Sequence, residues 1–142
     1  MPPDLRQFVE RSLSALARDA PAFYSRLCAT LLGRRLLVRG DGEPFALDFE
    51  RGIATIEAPD GSEDLYLGIG HRTILALVDG EVTLEEALRQ DRLVLRGSLT
   101  RVADVFDGLL IYLRGGIRCP SFPQLLSDFR APMRHSPHEV SR

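Results

Sequence analysis

Few residues in this sequence could do chemistry. There are three histidines, His71, His135 and His138, and two cysteines, Cys28 and Cys119. His135 and His138 are three apart, a spacing that suits a metal on a helix, but Pro137 disfavours a helix there and no third ligand is near. His71 opens a helix after a strand and reads as an ordinary cap-region residue. The cysteines form no ligand-spaced pair and read as packed thiols of a reduced protein. There is no G-x-S-x-G elbow, no phosphate-binding glycine loop and no C-x-x-C pair. Gly68 and Gly70 lack the spacing of a dinucleotide fingerprint, and Gly115-Gly116 is a helix stop. The acidic pairs Glu85–Glu86 and Asp104–Asp107 fall on outer helix faces, where solvation accounts for them. These residues nominate no catalytic group, no metal site and no cofactor, so a non-enzymatic role is expected.

Composition narrows the function classes further. All eighteen basic residues are arginine, and lysine, asparagine and tryptophan are absent. Without lysine there is no Schiff-base nucleophile, which excludes pyridoxal phosphate chemistry. A net charge of −2 and a pI near 5.9 give no basic footprint for nucleic acid. A chain of 142 residues, 44% hydrophobic and 27% charged, fits one soluble globular domain. Apolar runs fall short of the roughly 18 residues that span a bilayer, so no stable membrane insertion is expected. The N-terminus lacks a signal-peptide core and the C-terminus lacks a prenylation or peroxisomal signal, which points to the cytoplasm.

The elements that must position any site follow from hydrophobic period. Leu5, Phe8, Val9, Leu13 and Leu16 fall at helical spacing, and Asp19-Ala20-Pro21 breaks and restarts the helix. Four strand-like pieces follow, RLLVRG, PFALDFE, IATIEA and DLYLGIG, each with one apolar face, and Asp41-Gly42 reads as a hairpin turn. One-sided alternation predicts a largely antiparallel sheet covered on one face. After Gly70 the period becomes helical over HRTILALVDG. Next comes TLEEALRQ, with Thr83 and Glu86 at capping-box spacing. RLVLRG supplies a fifth strand, and Ser98 caps a long helix through Gly115. That helix is apolar on a face of Leu99, Val102, Phe106, Leu109, Leu110 and Leu113, and Ile111 and Tyr112 extend the cover. Phe122, Leu125, Leu126 and Phe129 offer a matching face, so residues 119–130 are expected to pack against its outer side. A single domain over residues 1–130 and a proline-broken polar tail over 131–142 complete the organisation.

The block Leu75-Ala76-Leu77-Val78-Asp79-Gly80, Leu84-Glu85-Glu86-Ala87-Leu88 and Leu93-Val94-Leu95-Arg96-Gly97-Ser98-Leu99 resembles the sterol carrier protein type 2 family. In that family a short apolar helix ends in Gly, a second helix carries a central Ala, and a strand leads to Gly-[Asp/Ser]-Leu. The likeness covers residues 19–115. It departs where the family commonly has a Gly before the last strand and this chain has Gln90-Asp91. The resemblance implies an α+β fold: a five-stranded, mainly antiparallel sheet with helices on one face, enclosing an apolar cavity or tunnel.

The function it implies is binding or carriage of a hydrophobic small molecule, such as a sterol, fatty acyl chain or other lipid. Such a site needs no acid, base or metal. Leu75, Val78, Leu88, Val102, Phe106 and Leu109, all on apolar helix faces of the matched block, are the expected lining. Two alternatives stay open: a protein-interaction or homodimerisation module with a filled core, and a small cofactor-free isomerase or lyase. A cavity of about 300 Å³ or more is what the first reading expects.

Overall fold

The structure, a computed structural model, describes residues 4–130. The polar tail, with His135 and His138, lies outside the described residues. Two helices come first, α1 (Leu5–Asp19) and α2 (Pro21–Thr30). Asp4 caps α1 by accepting from the Gln7 amide at 3.0 Å, and Pro21 stands in the first turn of α2. Strands β1 (Arg35–Arg39), β2 (Phe45–Asp48), β3 (Thr55–Glu57) and β4 (Leu65–Ile69) follow. Next are α3 (His71–Val78), α4 (Leu84–Arg89), β5 (Leu93–Arg96) and α5 (Leu99–Gly116), and residues 122–130 are helical again. The capping box forms as its spacing predicts, with Thr83 and Glu86 each taking the other's backbone amide. Ser98 caps α5.

The strand order is β3-β2-β1-β4-β5. Three pairings are antiparallel and the β1–β4 pairing is parallel, so the sheet is mixed but mainly antiparallel. A parallel pair needs a crossover, and residues 58–64 provide it. Arg35, at the start of β1, ties the crossover down. Its guanidinium donates to Asp48 at 2.6 Å, Glu57 at 2.7 Å, Glu63 at 3.0 Å and the Ala58 carbonyl at 3.2 Å. These carboxylates hold the buried guanidinium firmly in its charged form. Truncating it would strand several carboxylates, the costly way to break a buried ion pair.

Three sequence expectations are corrected here. The β1–β2 connection is not a tight Asp-Gly turn. Val38 pairs with Phe45, leaving a wider loop in which Asp41 accepts the His71 backbone amide at 2.7 Å, at the first turn of α3. Secondly, α5 is rotated relative to its large apolar residues. Its buried positions are Val105, Gly108, Gly115 and Gly116, whereas Leu99 is 86% exposed. The glycines let α5 come close to α1 and α2. A Cβ at Gly115 would lie 2.5 Å from Leu16 Cδ1 and 2.8 Å from Phe23 Cβ.

Thirdly, the 122–130 helix is tied to α1, α3 and the end of α5 rather than to an outer Ile111–Tyr112 face. Phe129 is fully buried, its ring centroid 4.4 Å from Phe8 and 3.9 Å from His71. Phe122 lies under Gly116, and Arg130 makes two 2.9 Å bonds to Asp79. Tyr112 instead turns inward to meet Ser12 of α1.

Candidate ligand site

The helices lie on the sheet face that carries Leu36, Val38, Leu47, Phe49, Leu67 and Ile69, and they do not fill the space against it. An apolar cavity of about 90 Å³ remains. The sheet supplies those six walls because period-two alternation sends every second residue inward. Leu5, Phe8, Val9 and Leu13 of α1 close one side, with Leu27 and Leu31 beside them. Ile74 and Leu77 of α3, Leu84 of α4, and Val105, Gly108, Leu109, Tyr112 and Leu113 of α5 complete the lining.

One hydroxyl faces this space, and it is satisfied within the protein. Tyr112 Oη is hydrogen-bonded to Ser12 Oγ, which donates to the Val9 carbonyl at 3.0 Å. Burial pushes the phenol up to about 12, against the Ser12 hydrogen bond, so it stays protonated near neutral pH. The rest of the lining is apolar contact surface. His71 is not on the wall. Its ring is stacked on Phe129, and burial pushes its pKa down while Asp41 pulls it up. Among the described residues, no group of three or more His, Cys, Asp or Glu side chains is placed to hold a metal.

A second depression, a groove of about 220 Å³, adjoins the cavity. It is lined by Leu77, Val78, Leu113, Arg114, Ile117 and Phe122, so Leu77 and Leu113 stand in both walls.

Of the six residues expected from sequence, Leu109 is on the cavity wall and Val78 is in the groove. Leu75 is buried in the core, and Leu88, Val102 and Phe106 pack half-buried against it, all four outside both linings. Sequence reasoning missed the contribution of α1. The signal was present as the apolar face Leu5, Phe8, Val9 and Leu13, but those residues precede the stretch that carries the family likeness.

Comparison with solved structures gives this architecture a name. One neighbour is a "UbiJ-SCP2 Ubiquinone synthesis protein", 19% identical over 77% of this chain and 88% of that one, with a TM-score of 0.57. Another is sterol carrier protein domain 2 of Helicoverpa armigera, 14% identical over 79% of this chain and 94% of that one, TM-score 0.53. The chain has the sterol carrier protein 2 fold. A third neighbour with this fold, palmitated SCP2L2 from Aedes aegypti, is 17% identical over 78% of this chain and 95% of that one, TM-score 0.50. No protein-family model matches the sequence, and no curated protein matches it either. No helix among the described residues is long and apolar enough to cross a membrane.

Proposed function

We infer that the protein binds or carries a hydrophobic small molecule, such as a fatty acyl chain, sterol or other lipid, without chemically changing it. The observation that carries this reading is the continuous apolar lining of a space between sheet and helices, with its one hydroxyl already satisfied. That a neighbour of the same fold is palmitated supports it. The driving force is burial. About 400 Å² of apolar ligand surface contributes roughly 10 kcal/mol before association costs.

At about 90 Å³ the resting cavity is smaller than the roughly 300 Å³ of a typical ligand site. Parting of Leu77 and Leu113, which line both, joins cavity and groove into a larger space. A chain-like ligand then lies with its tail among Leu13, Leu67 and Leu109 and its other end between Val78 and Ile117. The small resting volume is also the observation that favours the second reading, a filled interaction or dimerisation module.

Solvent extraction and mass spectrometry of the purified protein, followed by titration with fluorescent fatty acid and sterol probes, separates the two. Carriage predicts co-purifying lipid or saturable binding of one probe per chain. A monomer or dimer that neither carries lipid nor binds either probe contradicts carriage and supports the module.

A further inference from the structure

The helix over residues 122–130 touches both the groove and the cavity. Phe122 is part of the groove wall. Phe129, about two helical turns further on, stacks on Phe8, which lines the cavity. Polar ties hold the two ends of this helix. Ser121 donates to Asp19 at 3.2 Å, Asp128 lies 3.9 Å from Arg11, and Arg130 holds Asp79. The remaining hold is the His71 ring of α3, which lies nearly flat on Phe129, 14° from parallel.

That last hold depends on charge. Nε2 of His71 is buried and has no hydrogen-bond partner among the described residues. A proton taken up there makes a buried N–H⁺ with no acceptor. His71 is also the first residue of α3, where the positive end of the helix dipole disfavours a cation. The groups around the ring offset this only in part. Asp41 of the β1–β2 loop accepts the His71 amide and attracts the charged ring, and the Phe129 backbone favours it too. Burial, the largest influence, opposes both. On the 122–130 helix Arg130 is paired with Asp79 and Asp128 with Arg11 of α1, while Asp4 of α1 and Arg72 of α3 are exposed. Arg130 holds Asp79 below the usual carboxylate range, so that tie persists while His71 titrates. We propose that protonation of His71 releases the 122–130 helix and thereby speeds ligand exchange. Release takes Phe122 out of the groove wall and Phe129 off Phe8, so groove and cavity open together. With Phe129 wholly buried, opening is a rare excursion at neutral pH, and acid makes it more frequent. The exchange step rests on the proposed function, but the opening does not.

The test is hydrogen exchange of residues 122–130 in the full chain, compared between parent and His71→Phe at about pH 7.5 and about pH 5.5. Phe keeps a stacking ring without a nitrogen to protonate, and comparison at one pH cancels the intrinsic rate of amide exchange. Relative to the variant, the parent opens about threefold more often, or more, at the lower pH. His71→Gln, which loses the stack as well as the proton, opens more at both pH values and shows no such step. His135→Gln/His138→Gln keeps the step of the parent. Dissociation of a fluorescent fatty alcohol, which does not itself titrate here, quickens by the same factor in the parent and not in His71→Phe. The proposal is overturned by an equal pH response in parent and His71→Phe, or by loss of the step in the His135/His138 variant. Acid-enhanced exchange spread equally over α1 and the sheet overturns it as well, since that is global unfolding. Probe dissociation that ignores pH while the helix opens overturns its control of exchange. A parent with His71-dependent opening that binds neither the alcohol nor a fluorescent fatty acid supports the release and overturns the carrier reading alone.

Discussion

His71 stands at the first turn of α3 with its ring stacked on Phe129 and its Nε2 buried without a hydrogen-bond partner among the described residues. Burial lowers its pKa below the ordinary 6.5. The unfolded chain therefore takes up this proton at higher pH than the folded one. Stability falls as the pH drops below about 6.5, and levels off once the folded histidine also titrates. His71→Phe keeps a stacking ring and removes the proton. Urea melts at about pH 7.5 and about pH 5.5 should show a smaller loss of stability on acidification in the variant than in the parent. Fatty acid binding by the variant should stay within about threefold, under about 0.7 kcal/mol, because His71 is off the cavity wall. The sequence marked His71 as a residue at a helix start, and that is its position. Its partner Phe129 could not be read, because nothing local links α3 to the last described helix. Arg35 was equally hidden, since its carboxylates come from β2, β3 and the crossover between β3 and β4.

At the level of elements, local signals were the most legible. The break at Pro21, the Thr83–Glu86 box, the Ser98 cap and the apolar strand faces each depend on residues within a few positions of one another. The turn before β5 follows the same logic with a different residue. Where the family commonly has Gly, Asp91 takes φ 58°, a left-handed conformation that Asp tolerates better than most residues. Asp91→Gly should raise stability by up to about 1 kcal/mol, seen as a higher melting temperature.

The rotation of α5 was less legible, because pattern reading weighs large side chains while close helix approach uses absent ones. Gly115→Ala tests this directly. Its methyl meets Leu16 and Phe23 well inside contact distance, so the variant should lose about 1–3 kcal/mol in chemical denaturation. The 122–130 helix is anchored by a wholly buried aromatic ring. Phe129→Ala should cost about 3–5 kcal/mol, a loss too large for a loosely attached lid. A variant within about 0.5 kcal/mol of the parent would mean that this helix is dispensable to the fold.

Taken whole, the order of elements was enough to indicate the sterol-carrier architecture, because each sheet face and cap left its own local mark. The internal space was not legible, since it is what remains after some twenty side chains from α1 to α5 have packed. That residual volume depends on sub-ångström fit rather than on residue pattern. Leu109 is the one residue expected from sequence that the fold sets on the cavity wall, and it offers the most direct test of the account. The chain has no native tryptophan, so Leu109→Trp both fills the cavity and reports on its own surroundings. The decisive measurement is titration of parent and Leu109→Trp with a fluorescent fatty acid, alongside thermal melts showing that both are folded. The account predicts saturable binding of one probe by the parent and at least tenfold weaker binding by the variant, about 1.4 kcal/mol or more. A folded Leu109→Trp variant that binds the probe as tightly as the parent would contradict it.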